Sequence, residues 1–196
     1  MKFNELDICP EILLTLDKLG YTAPSPIQEQ SIPSVMQGKD LLGCAKTGSG
    51  KTAAFAVPIL QNLYKKYKGD NTHNTIRALI LTPTRELALQ IQDSFHAYGE
   101  YLPLKCGCLL GGVSQKPQEE MLKDGVDILV ATPGRLYDLM NQKIADVSKV
   151  EILVLDEADR MLDMGFLNDV KRITSRIPKT KQTLLFSATM SGEIRE

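Results

Sequence analysis

Short runs of apolar residues recur along the chain and set the first expectation about its fold. They fall at residues 40–44 (DLLGC), 78–82 (ALILT), 106–110 (CGCLL), 127–131 (DILVA), 152–155 (ILVL) and 183–186 (TLLF). Four or five apolar residues without polar alternation predict strands buried on both faces. Between them lie stretches of helical spacing at 51–67, 85–101 and 135–142. Strands alternating with helices predict an α/β fold, with a mostly parallel central sheet and helices on both faces. The start of the chain differs. Residues 10–19 read as an amphipathic helix stopped by Gly20, a residue that adopts positive φ at little cost. Pro24 and Pro26 make a rigid corner, and residues 27–36 a second helix. Residues 68–75 are polar and read as a loop rather than a linker. One domain over residues 1–196 is expected, without internal repeats.

Composition changes this picture little. Of 196 residues, 43% are hydrophobic and 24% charged, ordinary for a soluble globular protein. No apolar run nears the roughly 20 residues of a membrane span. Residues 1–5 (MKFNE) lack a signal-peptide pattern, so a cytoplasmic protein without membrane contact is expected. A net charge of −1 argues against a broadly basic nucleic-acid face, yet leaves room for a narrow track of a few arginines and backbone amides. The four cysteines read as structural. Cys9 and Cys44 stand alone, while Cys106 and Cys108 are too close for a zinc pair and would share one strand face as small buried hydrophobes. His73, in the polar loop, and His96, in a helix, have no partner cluster and are assigned no role.

Chemistry enters with residues 45–52 (AKTGSGKT), which follow the first apolar run and open a helix. This is a Walker A loop with Ala45 in place of the usual first glycine. Gly48 and Gly50 let backbone N–H groups of Thr47, Ser49 and their neighbours converge on phosphates, and the helix N-terminus adds favourable partial charge. Lys51 would reach the β- and γ-phosphates, and Thr52 would offer a hydroxyl to Mg²⁺. Residues 152–155 run into Asp156 and Glu157, a Walker B pattern. A carboxylate at the C-terminal end of a buried strand lies where parallel sheets bind ligands. Asp156 there would hold Mg²⁺, and Glu157 would orient and deprotonate the attacking water. Two acids ending a strand also suit a solvated helix cap; the Walker A loop upstream favours a nucleoside triphosphate site.

Asp156-Glu157-Ala158-Asp159 is the motif that names the DEAD-box RNA helicases, and the chain resembles that family's first RecA-like P-loop domain over essentially its full length. Residues 20–28 (GYTAPSPIQ), with Phe3 upstream, resemble the Q motif, which places residues 1–29 ahead of the core. Residues 83–88 (PTRELA) are similar to motif Ia, Gly111-Gly112 to the glycine pair, residues 132–135 (TPGR) to motif Ib, and residues 187–189 (SAT) to motif III. Departures are small: Lys46 stands for a commoner Gln, and Ser25 for a commoner Thr. Residues 39–60 and 155–166 look closest to bacterial members of the RhlE-like branch.

The resemblance implies roles that make physical sense. Gln28 would pair with adenine as donor and acceptor, favouring ATP over GTP. Tyr21 would stack on the base, with Phe3 as the family's upstream aromatic. Arg85 and Arg135, assisted by Pro83, Thr84, Gly111, Gly112, Thr132 and Gly134, would meet RNA phosphates without sequence preference. Ser187 and Thr189 would hydrogen-bond Asp159 and link the ATP–Mg²⁺ site to RNA. Taken alone, Gln28 reads as a surface residue at a helix start, the two arginines as ordinary ion pairs, and Ser187 and Thr189 as caps. The sequence ends just past motif III, so the resemblance also implies a second RecA-like domain that closes on the nucleotide and supplies arginines worth roughly 10³–10⁵ in rate. This chain alone is expected to be a monomer that binds nucleotide and hydrolyses it weakly or not at all. A nucleotide-gated RNA clamp, and a DNA helicase or other P-loop ATPase, are the competing readings. Intact Lys51, Asp156 and Glu157 count against a dead site, and the Q motif against the last.

Overall fold

The computed structural model describes residues 1–69 and 75–195. Six strands form one sheet: β1 (Leu41–Cys44), β2 (Ala78–Leu81), β3 (Cys106–Leu109), β4 (Ile128–Ala131), β5 (Ile152–Leu155) and β6 (Gln182–Ser187). Their order across the sheet is β1-β6-β5-β2-β4-β3, and every neighbouring pair is parallel. The expected mostly parallel sheet is therefore wholly parallel among the described residues. Each apolar run became a strand; the run at 152–155 is β5 unchanged, and the others are trimmed by one residue at an end or, for β6, extended by one at each.

Around the sheet lie α1 (Pro10–Lys18), α2 (Pro26–Met36), α3 (Lys51–Tyr67), α4 (Arg85–Tyr98), α5 (Lys116–Asp124), α6 (Pro133–Asn141), α7 (Ala158–Asp163), α8 (Leu167–Thr174) and the short α9 (Gly192–Arg195). The expected helices start or stop at identifiable residues. Gly20, at φ 82°, ends the first where expected. Helix α2 starts at Pro26 and α6 at Pro133, a residue or two early, because proline suits a first helical turn whose N–H groups lack partners anyway. Helix α4 stops at Tyr98 rather than 101, with the Gly99 amide donating to the Phe95 carbonyl. Helices α5 and α7 to α9 were not anticipated. Helix α5 is short and largely polar; Gln118 is its one fully buried residue, and Met121 and Leu122 pack half-buried against the second core. The expected loop around His73 lies outside the described residues.

Strand periodicity divides the core in two. On one face Ile80, Val130, Val154 and Phe186 pack with α1 to α4, where Phe55 lies 6.3 Å from Phe95 and 5.5 Å from Phe186 between ring centroids. On the other, Leu79, Leu81, Leu129 and Leu153 pack with Leu136 and Leu139 of α6, Met161 of α7 and Ile173 of α8. Cys106 and Cys108 are half-buried on the first face, at the β3 edge, as free thiols. Burial pushes both thiols up, Cys108 to about 12 with the nearby Asp93 charge adding to it, so they behave as small hydrophobes. His96 has Nε2 3.0 Å from the Cys106 carbonyl and ties α4 to β3.

Parallel pairing sends the C-terminal end of every strand to one edge. The segments after β1 and β5, which carry the Walker residues, and those after β2, β3, β4 and β6, which carry the other motifs, are gathered there.

Gly43 tests the packing beneath this edge. It pairs with Phe186 in register, and a Cβ placed on it would meet the Phe186 ring at 2.8 and 2.9 Å. Gly43→Ala is expected to destabilise the fold by about 1–3 kcal/mol through overpacking. A urea midpoint unchanged from the native protein would show that the ring yields at no cost.

Candidate nucleotide site and nucleic-acid face

The phosphate loop is braced from below by the Q-motif segment. Gln28 is buried, not the surface residue that its helix-start position suggests when read alone. Its Oε1 accepts from the Ser25 amide at 2.9 Å, and its Nε2 donates to the Gly50 carbonyl at 3.1 Å. Ser25 Oγ donates to the Ser49 carbonyl at 2.8 Å. Gly50 is fixed twice over: its φ is 84°, and a Cβ would sit 2.5 Å from Gln28 Nε2. The loop conformation thus depends on glycine there.

Lys51, the first residue of α3, reaches across to the end of β5. Its Nζ lies 2.5 Å from Glu157 Oε1 and 3.0 Å from Asp156 Oδ1, with all three side chains largely buried. Burial alone would push the lysine down, but the two carboxylates outweigh it and hold it above the usual range. Asp156 is pushed up, because its burial outweighs the attraction of Lys51. Among the described residues, the Lys51 ammonium is all that this buried Oδ1 meets, in an ionic contact outside hydrogen-bond geometry. Glu157 adopts φ 57°, ψ 46°, a left-handed conformation costing a non-glycine residue about 1–3 kcal/mol. It turns the chain sharply from β5 into α7 and leaves both carboxylates against Lys51.

This donor set fits Mg²⁺. No cluster of three or more His, Cys, Asp or Glu able to hold a metal occurs among the described residues. The Asp156 carboxylate oxygen, held only by Lys51, and the Thr52 hydroxyl in the same cleft are hard oxygen ligands. They suit a cation that takes one or two protein ligands and completes its shell with water and substrate phosphate.

Tyr21, Thr47, Gly48, Gly50, Lys51, Thr52, Asp156 and Glu157 line one cleft of about 380 Å³, closed on its far side by α4. Phe3 is buried and meets Tyr21 edge-on at 6.1 Å; Tyr21 meets Tyr98 in the same way at 5.9 Å, their hydroxyls 2.8 Å apart. Phe3 therefore supports Tyr21 and does not line the cleft. Sequence reading missed the α4 wall. Leu87, Gln90, Ile91, Ser94 and Tyr98 line the cleft, and their spacing of three and four is a helix face that could have been read from the chain.

Motif III meets the Walker B turn directly. Thr189 donates from its amide and its hydroxyl to Asp159 Oδ2 at 3.1 and 3.0 Å, and Ser187 Oγ accepts from the Asp159 amide at 3.1 Å. Ser187 also joins the phosphate loop, its carbonyl accepting from the Ala45 amide at 3.2 Å. Burial pushes the Asp159 carboxyl up, but these donors and the Arg160 amide outweigh it and hold it below the usual range.

The remaining predicted residues gather over β2, β4 and β3. Thr84 caps α4, its Oγ1 accepting from the Leu87 amide at 3.3 Å, and exposed Arg85 follows. The Arg85 guanidinium lies over Gly112, 3.4 Å from where a Cβ would stand. Thr132 Oγ1 accepts from the Gly111 amide at 3.4 Å. Pro83 is buried, and Gly134 sits half-buried in the first turn of α6. Arg135 is held within the chain, donating to the Gln118 side chain at 3.2 Å and the Val113 carbonyl at 3.0 Å. Among the described residues no ion pair occupies it.

A wholly parallel sheet with a glycine-rich loop after its first strand, and a carboxylate pair facing the loop lysine, defines a RecA-like P-loop domain. The model of the DEAD/DEAH box helicase family matches residues 25–196, and the chain belongs to that family. It is 47% identical over 195 residues to the DEAD-box ATP-dependent RNA helicase CshA of Streptococcus pneumoniae, covering 100% of this chain and 36% of that protein. It is 46% identical over 193 residues to the DEAD-box ATP-dependent RNA helicase RhpA of Helicobacter pylori, covering 98% and 38%. With the ATP-dependent RNA helicase DRS1 of Kluyveromyces lactis the identity is 48% over 196 residues, covering 99% and 26%. The chain spans less than two-fifths of the length of these relatives. Similar identity to bacterial and yeast proteins means that overall similarity does not mark a bacterial branch.

The lowered Asp159 carboxyl has a consequence for stability. A carboxyl depressed in the fold stabilises it above the unfolded pKa, near 3.9, and loses that contribution as pH falls through the folded value. The native protein is expected to exceed Asp159→Asn in urea midpoint at pH 7, with the gap closing below about pH 4. A gap independent of pH would show that the Thr189 bonds do not depend on the charge.

Proposed function

We propose that this chain is the ATP-binding half of an RNA helicase, working with a second RecA-like domain to couple ATP hydrolysis to local separation of RNA strands. The observation that carries this reading is the seat of Lys51 on Asp156 and Glu157, at the same sheet edge as Arg85, the glycine pair and Arg135. The names of the relatives, ATP-dependent RNA helicases all three, support the substrate pair.

The residues suggest how the site works. Lys51 stays cationic, so the β- and γ-phosphates of ATP compete directly with the two carboxylates for it. Moving Lys51 onto phosphate uncovers Asp156 and Glu157 together. Asp156 and Thr52 would hold Mg²⁺, which would supply positive charge against the phosphates when bound. Glu157, relieved of its ion pair, accepts a hydrogen bond from the attacking water and orients it. Tyr21 offers a face to adenine, and Gln28, already bonded to Gly50, connects base recognition to the loop. Asp159, bonded to Thr189, carries the change at Asp156 and Glu157 towards motif III. Arg85, Arg135 and the loop amides meet RNA phosphate and sugar without reading bases. The arginines that stabilise charge on the γ-phosphate come from the second domain.

The test is ATP turnover with and without single-stranded RNA, in this chain and in a protein carrying both domains, each beside Lys51→Ala. The chain alone is expected to bind a fluorescent ADP but to turn over ATP near background. The two-domain protein should show RNA-stimulated turnover that falls by roughly 10²-fold or more in Lys51→Ala, the scale of losing one preorganised phosphate donor. Turnover by the two-domain protein that ignores RNA, or that survives loss of Lys51, would overturn the reading.

A further inference from the structure

Gln118 lies on the polar helix α5 and belongs to none of the family motifs noted in the sequence, yet it is the one side chain that α5 buries. Both ends of its amide are engaged. Its Nε2 donates to the Leu110 carbonyl at 3.0 Å, and its Oε1 accepts from the Leu110 amide at 3.2 Å and from Arg135 Nη1 at 3.2 Å. Leu110 directly precedes the glycine pair, so Gln118 clamps the exit of β3 on one side and Arg135 on the other. Arg135 closes the ring by donating Nη2 to the Val113 carbonyl, just beyond the glycines, at 3.0 Å. The helix bearing Gln118 is pressed onto β3 where Gly107 has no side chain; a Cβ there would stand 1.9 Å from Met121 Sδ.

From this geometry we propose that Gln118 is a positioning residue for RNA binding: it holds Arg135 and the Gly111-Gly112 loop at a fixed separation, ready for successive phosphates. The proposal rests on the RNA reading above. An amide is suited to this in a way that a carboxylate is not. It holds the guanidinium through a neutral acceptor, so an RNA phosphate, which carries a full negative charge, makes the stronger pair with Arg135 and meets no carboxylate in competition. It also supplies the donor that the Leu110 carbonyl needs. Gln118→Leu removes every bond. Gln118→Glu keeps the size and a tighter hold on Arg135, but loses the donor and sets a charge in competition with phosphate.

Two measurements on the whole chain decide the matter. In RNA-free protein, ¹⁵N relaxation of the Arg135 Nε–H group should report an ordered side chain in the native protein, a mobile one in Gln118→Leu, and one at least as ordered as native in Gln118→Glu. In low salt, the affinity for a fluorescein-labelled ten-nucleotide uridine RNA should fall about 5- to 10-fold in both variants, while fluorescent ADP binding stays within about twofold. In an Arg135→Ala background, either Gln118 change should add less than about a twofold loss, because coupled residues are not additive. A purely structural role for Gln118 would move ADP and RNA binding together and shift Arg135 the same way in both variants, which overturns the proposal. So does an Arg135 that stays ordered in Gln118→Leu, or fully additive losses in RNA affinity. If Arg135→Ala leaves RNA affinity unchanged, the assigned RNA face is wrong and the RNA half of the proposal falls with it. The relaxation measurement still decides whether Gln118 holds the arginine.

Discussion

Parallel strand pairing constrains everything else in this domain. A parallel pair cannot be closed by a tight turn, so each strand must return through a crossover, and helices cover both faces of the sheet. The six strands consequently present their C-terminal ends at one edge, where backbone groups leaving the sheet have no further strand to pair with. The phosphate loop, the Walker B carboxylates, motif III and the arginine segments all occupy that edge. Site residues separated by more than a hundred positions become neighbours because of it; Lys51 and Glu157 meet at 2.5 Å.

Their meeting is a compromise between burial and charge. Two carboxylates and one ammonium lie largely out of water, an arrangement whose desolvation penalty can rival its attraction. Its signs are the raised Asp156 carboxyl and an Asp156 oxygen whose contact with Lys51 falls outside hydrogen-bond geometry. Such a cluster is poorly satisfied in itself and better satisfied by a ligand that supplies both a polyanion for the lysine and a cation for the acids. The left-handed backbone at Glu157 belongs to the same economy of strain: a local cost at a functional turn, held by the packing of β5 and α7 around it.

Asp159 and Gln118 show how a site extends beyond the groups that touch ligand. Asp159 joins the Walker B turn to Thr189 and Ser187, and Ser187 joins the phosphate loop through Ala45. On the other half of the edge, Gln118 joins the glycine pair to Arg135. Both are short hydrogen-bonded connections between segments that enter from different strands. Each converts a set of loops into a surface with fixed spacing.

The sequence by itself determined the strands, the α/β class and the nucleotide loop, because these depend on local signals. Buried strands need continuous apolar runs, and a phosphate loop needs glycine where φ is positive. Asp156 and Glu157 are marked in the same local way, at the end of an apolar run, whereas Ser187 and Thr189 read alone as caps and only their resemblance to motif III tied them to Asp159. Only the tertiary structure decided what those residues touch. Read without the family resemblance, Gln28 is a surface residue at a helix start; it is buried, with both ends of its amide bonded to Ser25 and Gly50. Phe3 lies beneath Tyr21 rather than in the cleft, and Tyr98 completes the aromatic rim from α4. Helix α5 escaped the sequence reading because it is short and mostly polar, with only Met121 and Leu122 turned towards the core and an amide as its one fully buried side chain. Its partners are a strand end and an arginine from another crossover, and such contacts are set by the order in which strands pair, which no stretch of local sequence specifies.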